Sequence, residues 1–126
     1  MRCCMSGKRD DALLVDDMIE AASRMVTYAS DVPPGCLGTD PEKADAILFN
    51  LAVLGEAAKS VSREVRSRYP GIPWAQIAMT RDKVIHHYHG IDWSTVTDII
   101  ERKLPAILPV LLRAQHDMRS GERRDH

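Results

Sequence analysis

The chain has 126 residues, 44% hydrophobic and 28% charged, which is the length and balance of one folded domain and excludes a wholly disordered chain. A formal net charge of −1 gives no global attraction to nucleic acid, so any such contact needs a local patch. Cys3, Cys4 and Cys36 have no zinc-site spacing and read as reduced thiols, and no apolar run approaches signal-peptide or membrane-span length, so a soluble, cytoplasmic protein with no membrane partner is expected.

The first predicted helix runs from about Asp10 to Ser30, with Leu14, Met18, Ala22, Met25 and Ala29 on one stripe and Asp16, Asp17 and Glu20 off it. Methionines at this spacing are core packing rather than a cofactor box. The segment from Asp31 through Pro33-Pro34-Gly35 to Gly38 is loop punctuation.

Thr39-Asp40-Pro41-Glu42 combines capping-box spacing with a first-turn proline, and opens a second helix that carries Ala44, Ile47, Leu51, Leu54, Ala58, Val61 and Val65. This helix is expected to continue to Tyr69-Pro70-Gly71, where proline stops it. Gly55 in its middle marks close approach by another backbone. Near its end Lys59, Arg63 and Arg66 fall at i, i+4 and i+7, a basic strip that reads either as a solvated helix face or as a phosphate contact.

A third helix is predicted from Pro73-Trp74 to about His87 or Tyr88, with Trp74, Ile77, Ala78, Arg81, Val84, Ile85 and Tyr88 on one stripe. His89-Gly90 breaks it. Asp92 is placed to cap a fourth helix bearing Val96, Ile99, Ile100 and Leu104, and Pro105 starts, or kinks into, a last helix with Ile107, Leu108, Leu111 and Leu112. No strand-period segment or internal repeat competes with these elements. The expected fold is an all-α bundle of four to five helices over residues 10–118, flanked by a tail at 1–9 and a charged tail at 119–126.

Arg81 occupies a stripe position where an apolar residue belongs, and a guanidinium on a packed seam is costly unless an anion, a hydrogen-bond network or a wet cleft receives it. On a straight helix Arg81 and Tyr88 lie within about 20° of each other, while His86 lies about 140° from Arg81. Either the helix ends so that the last residues swing round, or two copies pool their side chains across a two-fold axis. An arginine and a histidine gathered in one cleft suit RNA cleavage by its own 2′-hydroxyl: the histidine moves a proton, the arginine stabilises charge on phosphorus, and no metal or other cofactor is needed. The cluster His86, His87 and His89 also admits a metal reading, but three histidines in four positions do not converge from one regular helix.

Arg81, four residues, His86, one residue and Tyr88 together resemble the R-x4-H-x-Y motif of HepT-type toxins in the HEPN superfamily of small α-helical ribonucleases. The resemblance extends over about Asp10 to Met118 and includes Asn50 with Gly55-Glu56-Ala57-Ala58-Lys59, Ile72-Pro73-Trp74 with Ile77-Ala78, and Tyr88-His89-Gly90-Ile91-Asp92. It implies a homodimer with a composite site at the subunit interface, cleaving RNA without metal. It further implies that Arg81 and His86 are catalytic, that Asp82 fills the supporting polar position, and that Tyr88 is the regulatory tyrosine, AMPylated by an MntA-type nucleotidyltransferase antitoxin. Lys59, Arg63 and Arg66 are then candidate contacts to the RNA backbone. Two further readings stand beside the toxin ribonuclease: a weakly active helical dimer that serves mainly as binding partner and AMPylation substrate of the nucleotidyltransferase, and a dimer interface merely organised by Arg81 and Tyr88.

Overall fold

The computed structural model describes the backbone of residues 10–86 and 90–124 and the side chains of residues 10–85 and 90–121. Asp10 caps helix α1 (Asp11–Ser30) by accepting from the Ala12 N–H at 2.9 Å. Leu14, Met18, Ala22 and Met25 of the predicted stripe are buried, with Ala29 half-buried at its end. After a 3₁₀ turn at Leu37–Thr39, Asp40 caps helix α2 (Pro41–Ser60) through the Lys43 N–H, with proline at the position where a missing N–H does no harm. Helices α1 and α2 pack along each other and carry much of the core, including Val15, Met18, Ile47, Leu51 and Leu54.

Helix α2 does not reach Tyr69, contrary to the sequence expectation. It stops at Ser60, Val61 and Ser62 are extended, and a separate helix α3 (Arg63–Arg68) follows. Two side chains build this break. Ser62 caps α3 by accepting from the Val65 N–H, while its own N–H and hydroxyl donate to Asp11 of α1. Arg66 reaches back to close the end of α2, donating from Nε to the Val61 carbonyl and from Nη2 to those of Ala58 and Lys59. Val61 stays buried, so the chain turns without losing its core contact.

The predicted third helix is also divided. Helix α4 (Trp74–Ala78) ends at Met79, whose N–H is shared among carbonyls of the preceding turn, and helix α5 (Thr80–Val84) begins at once. The Thr80 hydroxyl donates to the Ile77 carbonyl at 2.7 Å, offering the backbone a local alternative to continued helix. The break lies against Gly55: a Cβ there would stand 3.4 Å from the carbonyl oxygens of both Ile77 and Ala78. The close approach expected at Gly55 is therefore to the end of a short helix, not to a second long one.

Ile85 and His86 are extended (β1) and pair antiparallel with Gly90 and Ile91 (β2), Ile85 opposite Ile91 and His86 opposite Gly90. Asp92 then donates its N–H to the Val84 carbonyl and caps helix α6 (Trp93–Asp98) through the Thr95 N–H, as its position in the sequence predicts. A π-helical turn, Ile99–Lys103, joins α6 to helix α7 (Leu104–Arg124). Pro105 has no N–H to give to an α-helical ladder, a sufficient local reason for the wider turn. Val96, Ile99, Ile100, Leu104, Ile107 and Leu111 are buried as the periodicity predicts, whereas Leu108 is half-buried and Leu112, expected on the same face, is exposed.

Helix α7 continues past Arg119, which pairs with Asp16 at 3.1 Å, so the charged tail expected from that residue is helical to Arg124. The N-terminal tail at 1–9 lies outside the described residues. The all-α class holds, with one two-residue ladder set into it. Among the described residues no helix is long and apolar enough to cross a membrane.

Candidate functional site

The motif residues occupy the junction where α5 gives way to β1. Arg81, Asp82 and Lys83 are exposed and Val84 is buried, so α5 is held to the core by its last residue while its charged residues face outward. Arg81 thus does not sit on a seam packed within this chain. Its guanidinium is open to a ligand or to a second molecule, and no burial cost attaches to it here.

Helix α5 ends two residues before His86. The Ile85 N–H still reaches the Arg81 carbonyl, but Ile85 and His86 are extended, so the helical angle of about 140° between Arg81 and His86 does not apply. A continuous helix would have fixed His86 on another face. The early ending removes that constraint and matches the first of the two repairs the spacing required. The β-branched pair Val84-Ile85 and the pairing to Gly90-Ile91 favour the extended form at this point. The side chains of His86, His87, Tyr88 and His89 lie outside the described residues; Arg81 and Asp82 stand next to each other on α5, both exposed.

Gly90, opposite His86, has φ of +79°, a conformation that side-chain-bearing residues avoid. Asp92 continues the frame, with its backbone bonded to Val84 and its carboxylate bonded to the N–H and hydroxyl of Thr95. The motif segment is therefore anchored before Arg81 by the Gly55 contact and after Tyr88 by the Asp92 cap.

The basic strip does not survive as one helix face. Lys59 lies in the last turn of α2, Arg63 begins α3, and both are exposed, while the Arg66 guanidinium is engaged by three backbone carbonyls. Periodicity alone could not show this, because it assumed an unbroken helix. Asn50, part of the family-like block on α2, is buried and donates from Nδ2 to the Ala46 carbonyl of its own helix at 2.8 Å. Among the described residues no group of three or more His, Cys, Asp or Glu side chains gathers where an ion could sit, and the histidine cluster considered from the sequence falls outside them.

A family model described as Ribonuclease HepT-like matches residues 18–114. A Methanocaldococcus jannaschii protein named as a candidate RNase is 32% identical over 98 residues, covering 78% of this chain and 81% of that protein. A second protein of that organism, named in the same way, is 30% identical over 100 residues, covering 79% and 86% of the two chains. The "Probable ribonuclease HepT" of Thermococcus cleftensis is 26% identical over 100 residues, covering 79% and 91%. No solved structure matches the chain at comparable significance. With the family model spanning most of the helical domain and the R-x4-H-x-Y residues lying inside the match, the chain belongs to the ribonuclease HepT-like family.

Proposed function

We propose that this protein is the toxin of a type VII-like HEPN–nucleotidyltransferase toxin–antitoxin pair, an endoribonuclease that works without metal. One observation carries the reading: a HepT-like chain holds Arg81 exposed on a helix that ends before His86, so the cation is accessible and the histidine is not bound to the helical face opposite it.

In the reaction His86 accepts the proton of an RNA 2′-hydroxyl as its oxygen attacks the adjacent phosphorus. The 5′-oxygen of the next nucleotide leaves and receives a proton, giving a 2′,3′-cyclic phosphate and a free 5′-hydroxyl. Arg81 stabilises the extra negative charge on the pentacoordinate phosphorus, and Asp82 supports the polar setting. The functional unit is a homodimer with the two motif segments lining one cleft, and Lys59, Arg63 and Arg66 are RNA-backbone contacts, with Arg66 the least available of them. Control comes from an MntA-like nucleotidyltransferase, which transfers AMP from ATP to the Tyr88 oxygen with release of pyrophosphate. The added phosphate is an anion that would compete with RNA for Arg81.

The test is cleavage of a mixed RNA pool by the purified protein in buffer containing chelator. Cleavage should persist there, and Arg81→Ala and His86→Ala should each lower it by about 10²–10³-fold. Because Arg81 is exposed within the chain, Arg81→Ala should leave the fold of the protomer unchanged, as judged by circular dichroism. Full activity in a folded His86→Ala protein sinks the nuclease assignment. AMP addition by the cognate partner to a protein without nuclease activity supports instead the helical binding partner and AMPylation substrate.

A further inference from the structure

Thr80 and Lys83 of α5 line a cavity that neither Arg81 nor Asp82 reaches. It has a volume of about 210 Å³ and lies between α4–α5 and the turn that joins α6 to α7. Its buried walls are aliphatic: Leu54, Ile77, Ile99, Leu104 and Ile107. Protein interiors are close-packed, so a partly open apolar space of this size is a candidate ligand site. For scale, an aliphatic cavity of about 150 Å³ admits a benzene-sized body. The π-helical turn shapes one wall, supplying Ile99 and Lys103 from its two ends. A second, more open groove of about 530 Å³ shares Pro73, Gln76, Asp98, Lys103 and Ile107 with the cavity and adds Gly71, Arg102 and Ala106.

The polar groups at the mouth narrow the ligand. Lys83 and Lys103 are exposed, and neither forms an ion pair among the described residues. The Thr80 hydroxyl donates to the Ile77 carbonyl and the Thr95 hydroxyl to the Asp92 carboxylate, so each has already used its single proton. Gln76 adds a neutral amide. The one carboxylate in the lining, Asp98, is met by Arg102 at 3.3 Å. No aromatic side chain is present to stack on a nucleobase. An aliphatic body with one negative end fits what remains.

We infer that this cavity binds a straight-chain aliphatic monocarboxylate of roughly six to ten carbons, its chain among Leu54, Ile99 and Ile107 and its carboxylate between Lys83 and Lys103. Apolar burial supplies the attraction, and the two lysines select the anion. The cavity shares α5 with Arg81, but the inference does not depend on the proposed cleavage chemistry.

Titration of the full chain with octanoate, followed by calorimetry and amide NMR, tests the inference. One-to-one binding is expected, with shifts concentrated at Thr80, Lys83, Ile99, Lys103 and Ile107. The double variant Lys83→Gln/Lys103→Gln alters only exposed heads, so it should fold normally and bind octanoate about tenfold more weakly or worse. Octan-1-ol should bind the native protein more weakly than octanoate by a similar factor. Absence of octanoate binding, shifts located elsewhere, or equal affinity for the acid and the alcohol would each overturn the assignment.

Discussion

Asp11, in the first turn of α1, accepts two hydrogen bonds from Ser62, one from its backbone N–H at 2.9 Å and one from its hydroxyl at 2.7 Å. The pair is 51 residues apart in sequence and ties the start of the chain to the bend between α2 and α3. Truncation of Asp11 would leave both donors of Ser62 seeking water at a half-buried site. Asp11→Ala should lower the unfolding free energy by about 1–3 kcal/mol. Ser62→Ala keeps the backbone N–H bond to Asp11 but loses the hydroxyl bond and the cap on the Val65 N–H, so it should cost about 1–2 kcal/mol, and the double variant should cost less than the sum of the two because the hydroxyl bond is lost in both. Urea denaturation of the four proteins provides the measurement.

Arg66 separates a structural role from a binding role. Its guanidinium closes the C-terminal end of α2, so Arg66→Met should destabilise the protein by about 1–2 kcal/mol through carbonyls left without their donor. Lys59→Met and Arg63→Met, at exposed positions, should leave stability within about 0.5 kcal/mol. If RNA is held along this face, those two variants should weaken binding and flatten its salt dependence while the fold is unchanged. Unfolding curves and RNA titrations at two salt concentrations distinguish the outcomes.

Two glycines should respond to alanine for different reasons. At Gly38 a Cβ would stand 2.6 Å from the Trp93 indole nitrogen and 2.7 Å from its neighbouring carbon, so Gly38→Ala must displace the indole. At Gly90 nothing lies within 4 Å, and the cost comes from the positive φ alone, about 1–2 kcal/mol. Trp93 fluorescence should therefore change in Gly38→Ala and stay native in Gly90→Ala, although both unfold more easily.

Tyr69 donates to the Asp117 carboxylate at 3.4 Å, and its pKa is raised above the ordinary 10.0, by burial first and by the Asp117 charge second, with Arg68 opposing. The folded state holds the phenolic proton to higher pH than the unfolded state, which ionises first. Stability should thus fall as pH rises through and beyond 10.0, because the unfolded chain then carries fewer protons. Tyr69→Phe should flatten this alkaline limb, as measured by denaturation from neutral pH upward.

The long helices were legible because their signals are local and redundant. The Thr39–Glu42 spacing with Pro41 announced the start of α2, although the capping side chain is Asp40 and the Thr39 hydroxyl donates instead to the Cys36 carbonyl, and the stripes Leu14–Met25 and Ile47–Ala58 identified the faces that meet. The breaks at Val61 and Met79 were not legible, since the apolar period runs through both. What stops the helices there is tertiary or side-chain chemistry: Arg66 folding back on α2, Asp11 holding Ser62, Thr80 bonding to Ile77. The motif residues could be picked out by type and spacing, but Arg81 belonged to an outward face that its stripe position disguised. The cavity beside Lys83 had no linear signature, because its walls come from α2, α4, α5, α6, the π-helical turn and α7 at once.

Helix α5 has five residues, and Val84 is its only buried side chain. An isolated helix of that length has no stability of its own, since nucleation costs more than one turn returns. Its hold on the rest of the chain is one buried valine, the Val84–Asp92 and Thr80–Ile77 hydrogen bonds and its packing on α2 and α6, so it should open at a lower free energy than the α1–α2 frame. In hydrogen-exchange terms, the amides around Arg81 should exchange by a sub-global route while those of Leu51 and Leu54 wait for whole-molecule unfolding. The segment bearing Arg81 can thus open and re-seat at a lower free-energy cost than unfolding the rest of the chain.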